Sequence, residues 1–158
     1  MAVSLDDFPR FPLAHLPTPL AEMRRLREAL ASEMKTVPPR LFIKRDDCTG
    51  LAGGGNKTRK LEYLIGEALA TGADTVVTTG ALQSNHARQT AAAAAVAGLR
   101  CVLVLFDTVP YQGRAYRGSG NLLLDRVLGA EVRVEPAEAD AVTVFKKVMG
   151  EILSLIHI

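Results

Sequence analysis

Cysteine is scarce in this chain, and neither sign of charge dominates it. Two cysteines, Cys48 and Cys101, are too few for a disulfide framework. The 19 basic and 17 acidic residues give a net charge of +2, which supplies no electrostatic reason to expect nucleic acid or a membrane as partner. No N-terminal apolar run has the form of a signal peptide. These absences predict a cytoplasmic protein that binds neither nucleic acid nor a membrane.

Strand and helix patterns alternate through the second half of the chain. The 158 residues, 48% of them hydrophobic, are enough for one domain with a core. β-Branched or alternating runs at 75–79, 101–106 and 131–134 predict strands, and the intervening segments 85–97 and 121–127 predict helices. Strand starts recur at roughly thirty residues, the length of a strand–helix–strand crossover. The pattern predicts an α/β fold, a three-layer αβα arrangement around an open parallel sheet.

The segments outside this repeat give weaker signals. Apolar spacing predicts helices at 21–34 and 137–153, and a short apolar run at 41–44 predicts a strand. Polar residues that follow a strand in an open α/β sheet lie beside the ligand crevice, which would place Asp46 and Asp47 there. A turn with a salt-bridged aspartate explains these two residues equally well.

A glycine-rich stretch delivers a lysine onto a helix. The glycines at 53–55 are followed by Asn56, a predicted N-cap, and by Lys57 on the first turn. The helix is indicated by apolar residues at Leu61, Leu64, Ile65 and Ala68. A helix N-terminus favours anions, so the stretch is typical either of an anion site or of a solvated basic turn.

Nucleotide-binding motifs do not fit the same stretch. A phosphate-cradling P-loop needs glycine directly before the lysine, where this chain has Asn56. A dinucleotide fingerprint starting at Gly53 would need glycine where Thr58 stands. The glycine stretch therefore belongs to neither nucleotide motif.

A second polar loop, at 80–86, lies between a predicted strand and a predicted helix. Ser84 and Asn85 are suited to cap that helix, and the main-chain N–H groups at its start can hold a carboxylate. A G-x-S-x-G hydrolase elbow would need glycines where Leu82 and His86 stand. Companion ligands for a metal site are lacking at suitable spacing. Capping alone is a sufficient explanation of the loop by its residue types.

Three stretches together resemble one enzyme family. GGNKTRKLEYL, with KRDDCTGL before it and QSNHARQTAA after it, is similar to the pyridoxal-phosphate enzymes of the tryptophan-synthase-beta fold type. The subgroup it resembles contains D-cysteine desulfhydrase, L-cysteate sulfo-lyase and aminocyclopropane-carboxylate deaminase. The resemblance runs from about Phe8 to about Glu135 and implies PLP fold type II in truncated form. It divides the chain into the N-terminal part of a large domain (1–55), a small αβα domain (56–152) and an atypical tail (153–158).

The resemblance also implies roles for individual residues. Lys57 would hold pyridoxal 5'-phosphate covalently and carry the substrate's α-proton, with Lys60 near the cofactor phosphate. Asn85 would hydrogen-bond the ring hydroxyl oxygen of the cofactor, and Ser84 would be catalytic. The loop implied to bind the α-carboxylate of a small amino-acid substrate comprises Gln83, Ser84, Asn85 and His86.

His86 helps to choose within the subgroup that the chain resembles. The desulfhydrase and the sulfo-lyase have histidine at the matching position, whereas the deaminase has glutamine. The resemblance therefore predicts a D-cysteine desulfhydrase that releases pyruvate, ammonia and sulfide. L-Cysteate sulfo-lyase and aminocyclopropane-carboxylate deaminase remain alternatives, as does a non-catalytic fragment, because family members continue for about as long again. Their further part carries the phosphate loop and the groups that face the pyridine nitrogen, and the full-length protein is expected to be a homodimer.

Overall fold

A computed structural model gives the structure of residues 4–111 and 113–154. In chain order its helices and strands are β1 (Leu20–Glu22), α1 (Arg24–Met34), β2 (Phe42–Lys44), α2 (Lys57–Ala70), β3 (Thr75–Ala81), α3 (Asn85–Ala97), β4 (Arg100–Asp107), α4 (Arg114–Gly118), α5 (Gly120–Val127), β5 (Glu131–Pro136) and α6 (Ala141–Ser154). Short 3-10 turns lie at Leu5–Asp7, Asp46–Thr49 and Leu51–Gly53.

The predicted parallel sheet is confirmed. Strands β3, β4 and β5 are parallel and adjacent in that order, with Thr75 opposite Arg100 and Val102 opposite Glu131. The central strand β4 reads as a nearly continuous apolar run because both of its faces are covered, and residues 101–105 are buried.

Side chains of β4 alternate between two helical layers. Cys101, Leu103 and Leu105 pack with α3 and with Leu122 of α5. Val102 and Val104 point to the opposite face, where they meet Val148 and Ile152 of α6. Burial of each such side chain contributes about 1.5–3 kcal/mol. This alternation produces the three-layer αβα arrangement that the sequence predicts.

The alanine content of α3 has a packing reason. Ala87, Ala91 and Ala94 face the sheet, while Ala93 packs against Leu61 and Ile65 of α2. Helix α3 is thus covered on two sides, and small side chains let both neighbours approach closely. The start of α3 consequently lies close to the start of α2.

The N-terminal third departs from the prediction at β1 and β2. The strand expected at 41–44 forms, as β2, but it pairs antiparallel with β1 and does not join the parallel sheet. Residues 21 and 22, expected at the start of a helix, belong to β1, so α1 begins only at Arg24. The extended backbone imposed before Pro19 continues into β1. A pairing between segments about twenty residues apart overrides local helical spacing here.

The last helix starts later than its apolar pattern suggests. Asp140 accepts a hydrogen bond from the main-chain N–H of Thr143 at 2.8 Å, so the chain turns into α6 at Ala141, after residues 137–140. Residues 153 and 154 of the predicted tail end this helix, and residues 155–158 lie outside the described residues. The domain boundary at residue 55 stays a prediction.

Glu62 fastens the N-terminal segment to α2. Its carboxylate, which is buried, accepts hydrogen bonds from the main-chain N–H groups of Leu13 and Ala14, both at 2.9 Å, and pairs with Arg10 at 2.7 Å. Burial alone would raise the pKa of this carboxyl, but the bonds from Ala14, Leu13 and Arg10 together hold the pKa below its usual value. The segment is thereby held along the helix that begins with Lys57.

No helix in the described part of the chain is long and apolar enough to cross a bilayer.

Candidate active site

The glycine segment is closely surrounded by neighbouring protein atoms, which leave no room for side chains at Gly54 and Gly55. Gly54 has φ 79°, and a Cβ on it would lie 1.9 Å from the carbonyl oxygen of Asp47. At Gly55 a Cβ would lie 2.3 Å from the Gln89 side-chain nitrogen. Arg88 donates a hydrogen bond from Nη2 to the carbonyl oxygen of Gly54 at 2.9 Å. The segment is therefore packed between the Asp46–Thr49 turn and the start of α3.

Asn56 stands at the N-cap position of α2, as predicted, but it provides no capping hydrogen bond. Asn56 flanks the helix with helical backbone angles, φ −68° and ψ −17°, and its side chain caps no N–H group. Its Oδ1 instead accepts a hydrogen bond from Nζ of Lys57 at 3.2 Å. The cap comes from another helix, since Oε1 of Gln89 accepts from the main-chain N–H of Thr58 at 3.0 Å and from its hydroxyl at 2.8 Å.

Gln89 links the two predicted halves of the site. Its side chain is buried, and while Oε1 caps α2, Nε2 donates to the carbonyl oxygen of Asn85 at 3.2 Å. A single amide thus connects the residue after Lys57 to the first residue of α3. Gln89 is a site residue that was not predicted from the sequence. The available signal was a long polar side chain four residues after Asn85, within an alanine-rich helix and therefore on the same helix face.

Thr49 extends this buried network to the glycines. Its hydroxyl accepts from the N–H of Gly55 and lies 2.9 Å from the carbonyl oxygen of Gly55 as well. It also lies 3.3 Å from the hydroxyl of Thr58. Buried polar groups that are mutually satisfied in this way rigidify their surroundings. The backbone is therefore held in place both before Lys57, at Gly55, and after it, at Thr58.

A cleft of about 250 Å³ lies between α2, β3 and α3. Lys60 and His86 line it, together with Thr78, Thr90 and apolar residues of α2 and β3. Lys57, half-buried, is near enough for its charge to act on His86. The structure thus brings Lys57, Lys60 and His86 together.

His86 is held as a neutral ring. Burial lowers the pKa of its imidazole, and the positive charges of Lys60 and Lys57 lower the pKa further. The Nε2 atom lies 2.9 Å from the hydroxyl of Thr78, and Thr90 donates to the carbonyl oxygen of His86 at 2.8 Å. His86 therefore adds no charge to the cleft near neutral pH.

Ser84 caps α3 as predicted. Its Oγ accepts from the main-chain N–H of Ala87 at 3.2 Å. The hydroxyl thereby lies at the N-terminus of a 13-residue helix, where negative charge is favoured. Its catalytic and substrate-binding roles stay predictions.

The side chain of Gln83 is engaged within the chain. Nε2 donates to the carbonyl oxygens of Tyr116 at 2.6 Å and Ser119 at 3.0 Å, and Oε1 accepts from the N–H of Asn121 at 2.8 Å. This arrangement joins the loop at 80–86 to the start of α5. The substrate-binding role of Gln83 stays a prediction. Because its side chain is engaged in these contacts, that role would fall to the main-chain groups of Gln83.

The two aspartates after β2 form ion pairs, which confirms the salt-bridge alternative. Asp46 accepts from Arg59 through both carboxylate oxygens, at 2.7 and 2.8 Å, and from the hydroxyl of Thr18 at 3.1 Å. Asp47 pairs with Arg45 at 2.6 Å. The hydrogen bonds from Arg59 are the largest contribution that lowers the pKa of Asp46. Asp46 therefore fastens the turn before the glycines to α2.

Comparison with known proteins defines the class. Residues 12–153 match the family PALP, the pyridoxal-phosphate dependent enzymes, and the chain belongs to this family. The predicted family, cofactor and fold are confirmed. A solved structure described as an "ACC deaminase homologue" superposes with a TM-score of 0.72 at 42% sequence identity, over 94% of this chain and 41% of that one.

Two curated relatives carry the same name. The 1-aminocyclopropane-1-carboxylate deaminase of Ralstonia pickettii (strain 12J) is 49% identical over 87% of this chain and 40% of its own length. The protein of the same name from Burkholderia ambifaria (strain MC40-6) is 50% identical over 84% of this chain and 38% of its own. The chain thus spans about 40% of the length of the relatives it matches.

The residues of the site fit pyridoxal phosphate chemically. The cofactor presents an aldehyde, a phosphate and a ring hydroxyl, and the site offers a primary amine at Lys57, an ammonium at Lys60 and a side-chain amide at Asn85. The N-terminus of α3 contributes further N–H donors. All of these groups suit an anionic, oxygen-rich ligand.

We expect Gln89→Leu to uncouple the two halves of the site in the full-length protein. Leucine has a similar volume but leaves the N–H and the hydroxyl of Thr58 without their acceptor. The expected result is a loss of about 1–3 kcal/mol in the free energy of unfolding, and about tenfold lower kcat/KM, because small displacements at a reacting centre are costly. Denaturant unfolding and steady-state kinetics measure the two effects.

Thr58→Val is the matched control for Gln89→Leu. It removes the hydroxyl hydrogen bond but keeps the main-chain bond from residue 58 to Gln89. Its kinetic effect should be clearly smaller. An equal or larger loss for Thr58→Val would mean that the link to α2 through Gln89 does not set the site geometry.

Proposed function

We propose that this chain is the N-terminal portion of a pyridoxal-phosphate enzyme that converts 1-aminocyclopropane-1-carboxylate to a keto acid and ammonia. The observation that carries the proposal is the 49–50% identity, over 84–87% of the chain, to proteins of that name. It favours the deaminase alternative over the D-cysteine desulfhydrase predicted from His86.

Lys57 is the central residue of this proposal. It lies on the first turn of α2, beside the glycine segment, where its Nζ donates a hydrogen bond to Oδ1 of Asn56. The amine would hold the cofactor covalently and, once exchanged for the substrate amine, would move protons at the substrate carbons. Bound pyridoxal phosphate supplies an electron sink for negative charge that develops on the substrate.

The start of α3 would bind the substrate carboxylate. The main-chain N–H groups there and the hydroxyl of Ser84 converge at the positive end of the helix dipole. The neutral ring of His86 leaves the positive charge of the cleft to the two lysines.

The two candidate substrates need the proton at different carbons. Aminocyclopropane carboxylate has no hydrogen on its α-carbon, so Lys57 would have to move protons at a ring methylene. Cysteine has an α-hydrogen, and its removal is followed by loss of sulfur from the adjacent carbon. Each reaction consumes one water: the first gives 2-oxobutanoate and ammonia, and the second gives pyruvate, ammonia and sulfide.

D-Cysteine desulfhydrase is the second candidate, and His86 is the observation that favours it. The ring lines the cleft between α2 and α3, with Nε2 2.9 Å from the hydroxyl of Thr78 and Nδ1 3.5 Å from the hydroxyl of Thr90. In the subgroup that the chain resembles, the C–S lyases have histidine at the position that matches residue 86, whereas the deaminase has glutamine.

The test compares substrates in the full-length enzyme. Aminocyclopropane carboxylate, D-cysteine and L-cysteate are supplied at matched concentrations, and 2-oxobutanoate and pyruvate are quantified separately by chromatography. We expect the highest kcat/KM with the cyclopropane substrate. Pyruvate from D-cysteine with no detectable 2-oxobutanoate would replace the deaminase by the desulfhydrase, and an absence of both keto acids would refute both.

We expect His86→Gln to shift the preference further toward the cyclopropane substrate. Changes of this size in a substrate pocket alter the ratio of kcat/KM values by about tenfold. The exposed His15, which lies outside the cleft, provides the matched control His15→Gln, whose ratio should equal that of the wild type. An unchanged ratio in His86→Gln would show that this residue does not choose the substrate.

A further inference from the structure

We propose that Asn121, the second residue of α5, is a positioning residue that fixes which polar atom Asn85 presents to the ligand. The inference rests on the proposed function only in naming that ligand as pyridoxal phosphate. The evidence for it is a set of hydrogen bonds between α5 and the loop at 80–86.

Asn121 contacts this loop at three points. Its Nδ2 donates to the carbonyl oxygen of Gln83 at 2.7 Å and to Oδ1 of Asn85 at 3.0 Å. Its main-chain N–H donates to Oε1 of Gln83 at 2.8 Å. The Asn121 side chain is partly buried, whereas Asn85 is exposed. The more buried partner, Asn121, therefore sets the orientation of Asn85.

The orientation of both amides follows from one unambiguous acceptor. A main-chain carbonyl oxygen can only accept, so the Asn121 atom that faces Gln83 must be the NH₂ group. The same NH₂ group contacts the side chain of Asn85, and an NH₂ group can only donate. The Asn85 atom in that contact must therefore be oxygen, and Nδ2 of Asn85 is left pointing away from α5.

Asn85 is thereby made a hydrogen-bond donor toward the site. Among the described residues, the contact with Asn121 is the one side-chain hydrogen bond of Asn85. A donor suits an oxygen that carries negative charge, such as the ring oxygen of the cofactor, whereas a reversed amide would place one acceptor against another. Asn121 thus decides whether Asn85 attracts or repels that oxygen without touching the ligand itself.

Two substitutions of Asn121 separate this role from simple packing. Asn121→Asp has nearly the same shape but no donor, so Asn85 must turn its NH₂ group toward the new carboxylate and its oxygen toward the ligand. Asn121→Ala removes the contact and lets Asn85 adopt either orientation. We expect the affinity of the full-length apoprotein for pyridoxal phosphate to fall by about tenfold for Asn121→Asp and by about threefold for Asn121→Ala. Because Asn121→Asp also sets a carboxylate against the carbonyl oxygen of Gln83, a double-mutant cycle is needed to separate the effect on Asn85 from this local repulsion.

A double-mutant cycle with Asn85→Ala tests whether the effect passes through Asn85. In the Asn85→Ala background, Asn121→Asp and Asn121→Ala should have nearly equal affinities for pyridoxal phosphate. The visible absorption band of the bound cofactor should shift in Asn121→Asp. In the Asn85→Ala background, the same substitution at residue 121 should leave the position of the band unchanged. A tenfold effect of Asn121→Asp that persists in the Asn85→Ala background would overturn the proposal.

A cofactor-free measurement separates failure of this inference from failure of the proposed function. In ¹⁵N-labelled apoprotein, the side-chain NH₂ signal of Asn85, assigned by its loss in Asn85→Ala, should move in Asn121→Asp and broaden in Asn121→Ala. The same signal unmoved in both variants would refute the role of Asn121, even if the enzyme binds its cofactor. Moved signals in a protein that binds no pyridoxal phosphate would instead refute the proposed ligand and leave the role of Asn121 standing.

Discussion

Lys57→Ala is expected to abolish the covalent attachment of pyridoxal phosphate in the full-length enzyme. The substitution removes the primary amine that the glycine segment and the Thr58–Gln89 contact deliver to the site. Loss of the amine also removes the proposed proton carrier, so turnover should fall by about 10²- to 10⁴-fold. The fold should persist, because Lys57 is half-buried and its side-chain bond in the structure is the one to Asn56.

The measurement is borohydride reduction followed by peptide mapping. In the wild type, the reduced cofactor should be found on the peptide that contains residue 57, and the visible absorbance should disappear on reduction. Lys60→Ala is the matched control: it removes an amine one helical turn away, and we expect it to weaken cofactor binding while the label stays on Lys57. A reducible, covalently held cofactor in Lys57→Ala would refute the assignment, and mapping would show which amine replaced it.

The parallel sheet could be predicted because its signals are local. Strand β4 is apolar throughout because it is covered on both faces, and α3 ends at Gly98, which adopts the left-handed conformation that glycine favours. The order of a strand, then a helix, then a glycine thus recurs at the length of a strand–helix–strand crossover. The chemistry of Lys57 and of the loop at 80–86 was predictable only through the resemblance, since a lysine at a helix start and a serine cap are individually ordinary.

The remaining features depend on contacts between distant segments. The pairing of β1 with β2 and the cap that Gln89 provides for α2 join residues with no shared local pattern. Asn56 was the natural candidate for that cap by residue type. The structure uses it differently because a buried amide from α3 already occupies the N–H of Thr58. Asn121 was overlooked for the same reason, since its partners lie 36 and 38 residues away.

The 158-residue chain on its own is expected to lack turnover. It spans about 40% of the length of its relatives, and Lys60 and Asn85 are exposed to solvent in its structure. A cofactor held there would meet water on the open side of the cleft, and charged groups in water interact far more weakly than in a closed site. Poorly held reacting groups alone cost about a hundredfold in rate.

The same chain is also expected to self-associate. The β1–β2 pair exposes 65% of Leu20, 48% of Phe42 and 41% of Ile43. Strand β3 forms an edge of the described sheet, and an apolar cleft beside it is lined by Val77, Val142 and Phe145. Exposed apolar area together with an unpaired strand edge favours association between copies.

Expression of residues 1–158 beside the full-length protein tests both expectations. Keto-acid release is followed with aminocyclopropane carboxylate and with D-cysteine, and the mass of each species is measured by light scattering. Charged substitutions at exposed positions of β1 and β2, Leu20→Lys and Ile43→Lys, serve as the matched variants: they should reduce self-association of the short chain without restoring turnover. A soluble monomer of the unmodified short chain that turns over either substrate at the rate of the full-length enzyme would show that the glycine segment, Lys57 and the α3 loop suffice for catalysis. In that case residues 1–158 would have to bind the cofactor phosphate by themselves. The groups available for this are Lys60 and the N-terminus of α3.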